Sequence, residues 1–177
     1  MSSDARVGEV YLSAAQIAER VRQLGAEIAR DYTGKNPVLV ASLKSSAIFI
    51  SDLSRTIPVP HELDFMELAG YRGEENGDAA RLIKDLDTTI EGRHVLVVQD
   101  VVDTGLTLNY LVRMLLLRMP ETLSAATLLD RPYRRLVDDL PLRYVGFTVP
   151  DEFFVGYGFD LDERWRGLPD LRLLRAG

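Results

Sequence analysis

Residues 99–107 bring together two acids, two threonines and a glycine, a combination able to bind an anion beside hydroxyl groups. Asp100 and Asp103 flank two valines, and a Thr104-Gly105 turn follows. Glycine lets a phosphate approach the backbone closely, and the amides at a helix N-terminus attract anions. Because carboxylates repel phosphate, the two acids suit hydroxyls, a cation or a proton. A sugar phosphate meets these demands together, with its ribose hydroxyls on Asp100.

The surrounding elements predict where this segment lies. The predicted strands are 37–43, 61–68, 94–100 and 123–130, and the predicted helices are 45–57 and 106–119. Strands that are apolar throughout, in the order strand–helix–strand–strand–helix–strand, predict a mostly parallel α/β sheet with both faces covered. Ligands of such sheets bind beyond the carboxyl ends of the strands, which is where Asp100 and Asp103 fall.

A further helix is predicted before the first strand. Ser13 and Gln16 have the spacing of a capping box, and Ile17, Val21 and Leu24 recur on one face of the helix that follows. The stretch 31–34 ends in a threonine and a glycine, which is typical of a helix C-terminus.

Composition limits the classes of function. The chain has 177 residues, enough for one domain with its own core, and 46% of them are hydrophobic. It has no cysteine, which excludes disulfides and thiolate metal sites. A net charge of −6 argues against a nucleic-acid partner. No apolar run is long enough to span a membrane, so a cytoplasmic protein is expected.

The stretch VLVVQDVVDTGLTL, residues 95–108, resembles the phosphoribosyl pyrophosphate signature of the type I phosphoribosyltransferases. In that signature an apolar strand leads to an acidic pair, two apolar residues and Asp-Thr-Gly-x-Thr. The stretches LKSS (43–46) and PDEFFVGYGFDLDERWRGLPDL (150–171) are similar to the hypoxanthine-guanine branch of this family. The resemblance covers roughly residues 10 to 172.

The resemblance implies an α/β type I phosphoribosyltransferase fold, in which helices flank a mostly parallel central sheet and the terminal segments form a small hood. It implies one domain over 1–177, a mobile loop at about 70–79 and a purine-binding segment at about 130–172. The implied reaction transfers 5-phosphoribosyl from phosphoribosyl pyrophosphate to a 6-oxopurine, either hypoxanthine or guanine, with xanthine as a third candidate. Mg²⁺ is the implied cofactor, and a homodimer or homotetramer is the implied assembly.

The resemblance also implies roles for individual residues on the phosphoribosyl side. Asp103 matches the general base that faces N7 of the purine, and Asp100 matches an acid on the ribose hydroxyls. The residues implied to bind phosphoribosyl pyrophosphate are Lys44, Ser45, Gln99, Asp100, Asp103, Thr104, Gly105, Leu106, Thr107 and Arg166. Thr104 to Thr107 match the 5′-phosphate loop, while Lys44 and Ser45 lie in the pyrophosphate loop.

On the purine side, Arg131 falls where the family has a lysine that hydrogen-bonds the 6-oxygen. Phe153 matches the aromatic residue that stacks on the base, and Phe154 matches the residue whose carbonyl meets the purine edge. Asp160 matches a carboxylate linked to the metal. Asp100 is also implied to act on the metal, through the ribose, the pyrophosphate and water. Without the resemblance, Asp103 would be interpreted as a helix cap and the two phenylalanines as core.

Four departures from the family pattern suggest altered substrate preference or weakened catalysis. Gln99 replaces an acid, and Arg131 replaces a lysine but lacks an acceptor for a 6-amino group. Ser45 replaces a glycine, and its Cβ is expected to hinder an unusual backbone conformation. Tyr71 retains half of a Ser-Tyr pair at the start of the loop, which is acidic here.

Two other hypotheses remain open from the sequence. One is a regulatory protein that binds phosphoribosyl pyrophosphate or a nucleotide with little or no turnover, which the four departures motivate. The other is a phosphoribosyltransferase for a different acceptor, such as a pyrimidine or a modified purine. His61 and His94 have no matching partners and are expected to be structural.

Overall fold

The computed structural model of the protein describes residues 5–69 and 81–175. Its elements, in chain order, are β1 (Val7–Leu12), α1 (Ala14–Tyr32), β2 (Val38–Leu43), α2 (Ser46–Thr56), β3 (Glu62–Ala69), β4 (Arg81–Lys84), β5 (His94–Val102), α3 (Leu106–Leu116), β6 (Thr122–Asp130), a 3₁₀ turn (Pro132–Arg134), β7 (Leu142–Thr148), β8 (Phe154–Val155) and β9 (Leu171–Leu174). The predicted mobile loop at 70–79, with Tyr71, lies outside the described residues.

A six-stranded sheet in the order β4-β3-β2-β5-β6-β7 forms the centre of the protein. All its neighbouring pairs from β3 to β7 are parallel, and only the edge strand β4 is antiparallel among the described strands. The predicted mostly parallel α/β sheet is therefore confirmed. No helix in the described part of the chain is long and apolar enough to cross a membrane.

The central strands are apolar throughout because each face of the sheet is buried in a hydrophobic cluster. Leu39 and Leu96 belong to one buried cluster, which α1 and α2 cover. Val40 and Val97, one residue further along their strands, belong to a second cluster with the buried face of α3. Successive side chains of a strand point to opposite faces, so a sheet covered twice requires continuous apolar strands.

The first helix begins as its capping box predicts. The Ser13 hydroxyl accepts a hydrogen bond from the Gln16 amide at 3.3 Å, and the Gln16 side chain accepts one from the Ser13 amide at 2.9 Å. Gly25 lies where α1 and α2 meet, and a Cβ there would come within 2.1 Å of the Thr56 hydroxyl oxygen. The close approach of these helices therefore depends on a residue without a side chain.

Most predicted boundaries lie within one residue of the observed ones, and two differ by two residues or more. The strand predicted to end at residue 100 continues to Val102, because Val101 and Val102 still pair with β6. The helix predicted to run to residue 119 ends at Leu116, and Met119 adopts a left-handed backbone with φ 51°. The Met119 carbonyl accepts a hydrogen bond from the Gly92 amide at 2.9 Å, which turns the chain toward β6.

A second, three-stranded antiparallel sheet in the order β1-β9-β8 forms the hood that the family resemblance implies. It joins residues from both ends of the described chain. Tyr11 of β1 and Phe154 of β8 pack their rings 5.0 Å apart, so the hood has an aromatic contact of its own. β8 and β9 have two and four residues, too few to be predicted from periodicity, and β1 lies far from both in sequence.

Candidate active site

Three loops at one edge of the central sheet carry the predicted site residues. Lys44 directly follows β2, Asp103 directly follows β5, and Arg131 directly follows β6. These three strands are parallel neighbours, so their carboxyl ends meet at the same edge of the sheet. This is the location at which open α/β sheets bind ligands.

The turn after β5 is built around Gly105. Its φ of 83° is left-handed, and a Cβ there would come within 2.7 Å of a Leu140 methyl carbon. The N-cap residue of α3 is Gly105, which has no side chain, and the Leu106 amide donates to the Thr104 hydroxyl at 3.4 Å, so Asp103 is not the helix cap. The turn therefore leads into the N-terminus of α3, an arrangement that favours an anion.

Asp103 faces two guanidinium groups. Its Oδ1 lies 3.1 Å from Arg134 Nε, and its Oδ2 lies 3.7 Å from Arg131 Nη1. The shorter contact is an ion pair without hydrogen-bond alignment, because Oδ1 has no aligned donor within the described ranges. Arg134 also contacts Asp151 at 2.8 Å. Asp103 is thus held between two guanidinium groups at the carboxyl end of β5.

Arg131 is a buried cation with an unused donor. Only 7% of the residue is exposed, and its Nη2 donates to the Glu152 carbonyl. Its Cζ lies 6.0 Å from the Phe153 ring centroid and 5.8 Å from that of Phe154. Its Nε has no hydrogen-bond partner among the described residues, so a ligand acceptor would offset the cost of burying it.

The structure separates the two phenylalanines of the purine-binding segment. Phe154 is 5% exposed and belongs to the main buried cluster with Tyr11, so its side chain packs in the core. Phe153 is 65% exposed. A core role for Phe153 is therefore wrong, and its ring remains available to stack on a planar ligand.

Asp100 is buried against the start of α2. The Ser46 hydroxyl donates to Asp100 Oδ1 at 3.2 Å and accepts from the Asp100 amide at 3.1 Å. Burial raises the pKa of the Asp100 carboxyl, although hydrogen bonds from neighbouring serines oppose this effect. Hydroxyl or cationic ligands would stabilise its ionised form.

Gln99 is also buried, with 4% of its surface exposed, and its side-chain amide donates to the Val98 carbonyl at 3.4 Å. An acid at this position would bury a second carboxylate at the end of β5, on the opposite face of the strand from Asp100. The amide avoids that electrostatic cost, which gives the departure at Gln99 a structural reason. Its assignment to ribose binding stays a prediction.

In the loop after β2, the Cβ of Ser45 does not hinder the backbone as expected. The Leu43–Lys44 peptide bond is cis, whereas Ser45 has φ −62° and ψ −37°, an ordinary right-handed conformation. The expectation that its Cβ hinders the backbone is therefore wrong. The C-terminal segment packs on this loop, since a Cβ at Gly158 would come within 2.2 Å of the Ser45 carbonyl oxygen.

Two further cations meet acids beside this loop. Arg166 contacts Asp160 Oδ1 at 3.0 Å and donates to the Gly158 carbonyl at 2.8 Å. Glu163 contacts both Lys44, at 3.1 Å, and Arg166, at 3.3 Å. The hydrogen bond from Lys44, and then that from Arg166, lower the pKa of the Glu163 carboxyl. The structure thus joins Lys44, Asp160 and Arg166 in one network through Glu163, and their assignment to the pyrophosphate and its metal stays a prediction.

Four neighbours of these residues carry no signal that singles them out in the sequence. They are Ser46, Arg134, Glu152 and Glu163. Arg134 lies in the cationic stretch RPYRR, but its contact with Asp103 depends on the 3₁₀ turn after β6. The histidines are structural, as expected, because His61 bonds Ser54 and the Val59 carbonyl, and His94 bonds Thr122.

The mostly parallel central sheet, its hood and the turn that leads into α3 form the architecture of the phosphoribosyltransferase class. The family model "Phosphoribosyl transferase domain" matches residues 9–163, and the chain belongs to this family. The resemblance predicted from the signature at 95–108 is confirmed.

Two of the similar proteins are named as hypoxanthine or hypoxanthine-guanine phosphoribosyltransferases. The chain is 44% identical over 164 residues to the hypoxanthine phosphoribosyltransferase of Salmonella typhimurium, covering 91% of this chain and 92% of that protein. A crystal structure of a hypoxanthine-guanine phosphoribosyltransferase from Bacillus anthracis, with HEPES in its active site, matches with a TM-score of 0.90 at 39% identity. That match covers 97% of this chain and 99% of the Bacillus chain.

A third relative is much longer. The chain is 40% identical over 170 residues to the bifunctional protein TilS/HprT of Listeria monocytogenes, which covers 96% of this chain. It spans only 26% of that protein's length.

Proposed function

We propose that this protein transfers the 5-phosphoribosyl group of phosphoribosyl pyrophosphate to hypoxanthine or guanine, releasing pyrophosphate, in purine salvage. The observation that carries the proposal is the pair Asp103 and Arg131 at the carboxyl ends of β5 and β6. One supplies a carboxylate oxygen that accepts no hydrogen bond from the described residues, and the other supplies a buried N–H donor without a hydrogen-bond partner among them. A 6-oxopurine offers a ring nitrogen to the first and a carbonyl oxygen to the second.

The phosphoribosyl group fits the turn and the strand before it. In the proposed complex, backbone amides from Thr104 to Thr107 hold the 5′-phosphate at the start of α3. Asp100 accepts hydrogen bonds from the ribose hydroxyls, and the Ser46 hydroxyl fixes the orientation of its carboxylate. Gln99 supports this strand from a buried position. These contacts hold the C1 carbon of the ribose in place for the incoming base.

The purine lies between Phe153 and the loop after β6 in this proposal. The Phe153 ring stacks on the base, and the Phe154 backbone carbonyl meets its edge. Arg131 donates to the 6-oxygen, and because a guanidinium accepts no hydrogen bond, it disfavours the 6-amino group of adenine. The bond from C1 to the pyrophosphate oxygen breaks as the bond from C1 to the purine nitrogen forms, and Asp103 accepts the proton from N7.

Mg²⁺ is the proposed cofactor, and the donor set fits it. The described residues contain no cluster of three or more acids or histidines able to enclose a metal. Magnesium is commonly held by one or two carboxylates while substrate phosphates and water supply its other ligands. Asp160 is the proposed direct carboxylate, and Asp100 acts through the ribose. When bound, Mg²⁺ offsets the charge that develops on the leaving pyrophosphate.

The proposal extends to assembly and location. The phosphoribosyltransferase resemblance supports a cytoplasmic homodimer or homotetramer that acts on small molecules, and the net charge of −6 supports the absence of a nucleic-acid partner. Light scattering of the purified protein at several concentrations would distinguish a dimer from a tetramer, and a monomer would contradict the proposed assembly.

Nucleotide formation tests the proposed reaction directly. The protein is incubated with phosphoribosyl pyrophosphate, Mg²⁺ and either hypoxanthine, guanine, xanthine or adenine, and the products are separated by chromatography. Conversion of a 6-oxopurine that is lost in Asp103→Asn supports the proposal. Binding of phosphoribosyl pyrophosphate without conversion of any base would instead support the regulatory hypothesis.

A further inference from the structure

Glu163 lies between the two cations that the proposed function assigns to pyrophosphate. Its Oε2 is 3.1 Å from Lys44 Nζ, and its Oε1 is 3.3 Å from Arg166 Nη2. Lys44 belongs to the loop after β2, 119 positions away in the chain. One carboxylate therefore bridges two separate elements at the point where an anionic ligand is expected.

The backbone fixes where this carboxylate starts. Glu163 has a left-handed φ of 63°, and its amide donates to Asp160 Oδ2 at 2.9 Å. The turn is thus held on the same acid that pairs with Arg166. The Glu163 side chain is 60% exposed, so it can rotate into solvent without breaking a packed core.

Charge decides what the contact does to a ligand. Pyrophosphate binds best when the positive charges of Lys44 and Arg166 are not already paired. The Glu163 carboxylate partly neutralises both charges while it remains between them. Exposed ion pairs are weak, so a more highly charged ligand can displace this carboxylate. The displacement nevertheless lowers the affinity for the ligand, because the two ion pairs of Glu163 are lost and its carboxylate repels the bound pyrophosphate at short range.

We propose that Glu163 is an affinity-determining residue, whose carboxylate competes with pyrophosphate, free or as part of phosphoribosyl pyrophosphate, for Lys44 and Arg166. This inference rests on the proposed function and adds a residue that sets the strength of substrate and product binding. Its removal strengthens binding, in contrast to the loss expected when a binding residue is removed.

The adjacent acid provides a matched control. Asp162 lies in the same turn with a left-handed φ of 53° and is 71% exposed, but it pairs with Arg6 at 3.3 Å. Asp162→Asn and Glu163→Gln remove the same charge one residue apart. Glu163→Asn provides a second neutral variant, because asparagine tolerates the left-handed conformation well.

Calorimetric titration with magnesium pyrophosphate measures the effect. Glu163→Gln and Glu163→Asn are expected to lower the Kd by about three- to tenfold at low salt, while Asp162→Asn changes it by less than about twofold. The difference shrinks in about 0.5 M KCl, because salt screens exposed charges. In steady-state assays, the KM for phosphoribosyl pyrophosphate falls in the two Glu163 variants.

Unchanged or weaker pyrophosphate binding in folded Glu163 variants would overturn the inference, as would an equal gain in Asp162→Asn. Binding by neither the wild type nor the variants would overturn it as well, since the pyrophosphate site itself would be absent. Tighter pyrophosphate binding without nucleotide formation from any base would support the role of Glu163 and reject the proposed transfer reaction. Thermal unfolding by circular dichroism establishes that each variant is folded.

Discussion

Arg131 Nη1 lies 3.7 Å from Asp103 Oδ2, so the buried cation proposed to select the purine also faces the acid proposed to accept its proton. A lysine at this position would present one ammonium group. The guanidinium instead donates to the Glu152 carbonyl through Nη2, faces Asp103 through Nη1 and leaves Nε free. With arginine in place of the family's lysine, the side chain proposed to select the base also contacts Asp103.

Removing this guanidinium should weaken turnover of 6-oxopurines. Arg131→Met retains apolar bulk beside Phe153 and Phe154 but removes the donor to the 6-oxygen. The expected loss in kcat/KM for hypoxanthine is about 10- to 100-fold, as for a charge-assisted hydrogen bond of roughly 1.5–3 kcal/mol. Initial rates with hypoxanthine measure it. Arg143→Met, at an exposed ion pair with Asp31, is the control and should leave the rates unchanged.

Restoring an acid at Gln99 should destabilise the protein. Gln99→Glu buries a second carboxylate in β5, adjacent in sequence to Asp100, and burial already raises the pKa of the Asp100 carboxyl. The expected decrease in the free energy of unfolding is about 1–3 kcal/mol at neutral pH, measured by urea denaturation. Gln16→Glu, in the exposed capping box of α1, is the matched control and should be neutral or stabilising. Equal stability of Gln99→Glu and the wild type would show that the site accommodates two acids.

The contact between the C-terminal segment and the loop after β2 should depend on Gly158. An added Cβ would meet the Ser45 carbonyl oxygen at 2.2 Å, and the φ of 101° is unfavourable for alanine. Gly158→Ala should therefore lower stability by about 1–3 kcal/mol and raise the KM for phosphoribosyl pyrophosphate. Thermal unfolding and initial rates measure both effects. Gly167→Ala is the control, because a Cβ there would meet no atom within 4 Å; a similar loss in both variants would contradict the argument.

Acid should remove a stabilising contribution from Asp64. Burial alone would raise the pKa of this carboxyl, but hydrogen bonds from the backbone amides of Thr88, Phe65 and Asp87 together lower it. Since the folded pKa lies below the unfolded value of about 3.9, the stabilisation is complete above that value and is lost as the pH falls through the folded pKa.

Asp64→Asn should consequently lower the free energy of unfolding at pH 7 by about 1.5–3 kcal/mol, with a smaller difference from the wild type at about pH 3. Urea denaturation at both pH values measures it. Asp139→Asn, at an exposed position, should show neither effect. A difference for Asp64→Asn that does not depend on pH would show that the ionised form of Asp64 contributes nothing.

The sequence predicts the part of the site that local chemistry determines. Gly105 and Thr104 identify the turn after β5, and apolar runs identify the parallel strands on either side of it. The contacts of Arg134 and Glu163 could not be predicted, because exposed charges follow the same pattern whether they pair with solvent or with a site residue. Ser46 escaped notice for a similar reason, since a serine at the start of a helix is usually a cap.

The hood brings the two ends of the described chain side by side. Val7 pairs with Leu174, and the Arg175 amide donates to the Arg6 carbonyl at 2.8 Å. A domain whose ends emerge together can be inserted into, or joined to, another polypeptide without rearranging its interior. Linking these ends and opening the chain at the exposed loop that contains Gly34 would give a circular permutant in which the central sheet is unchanged.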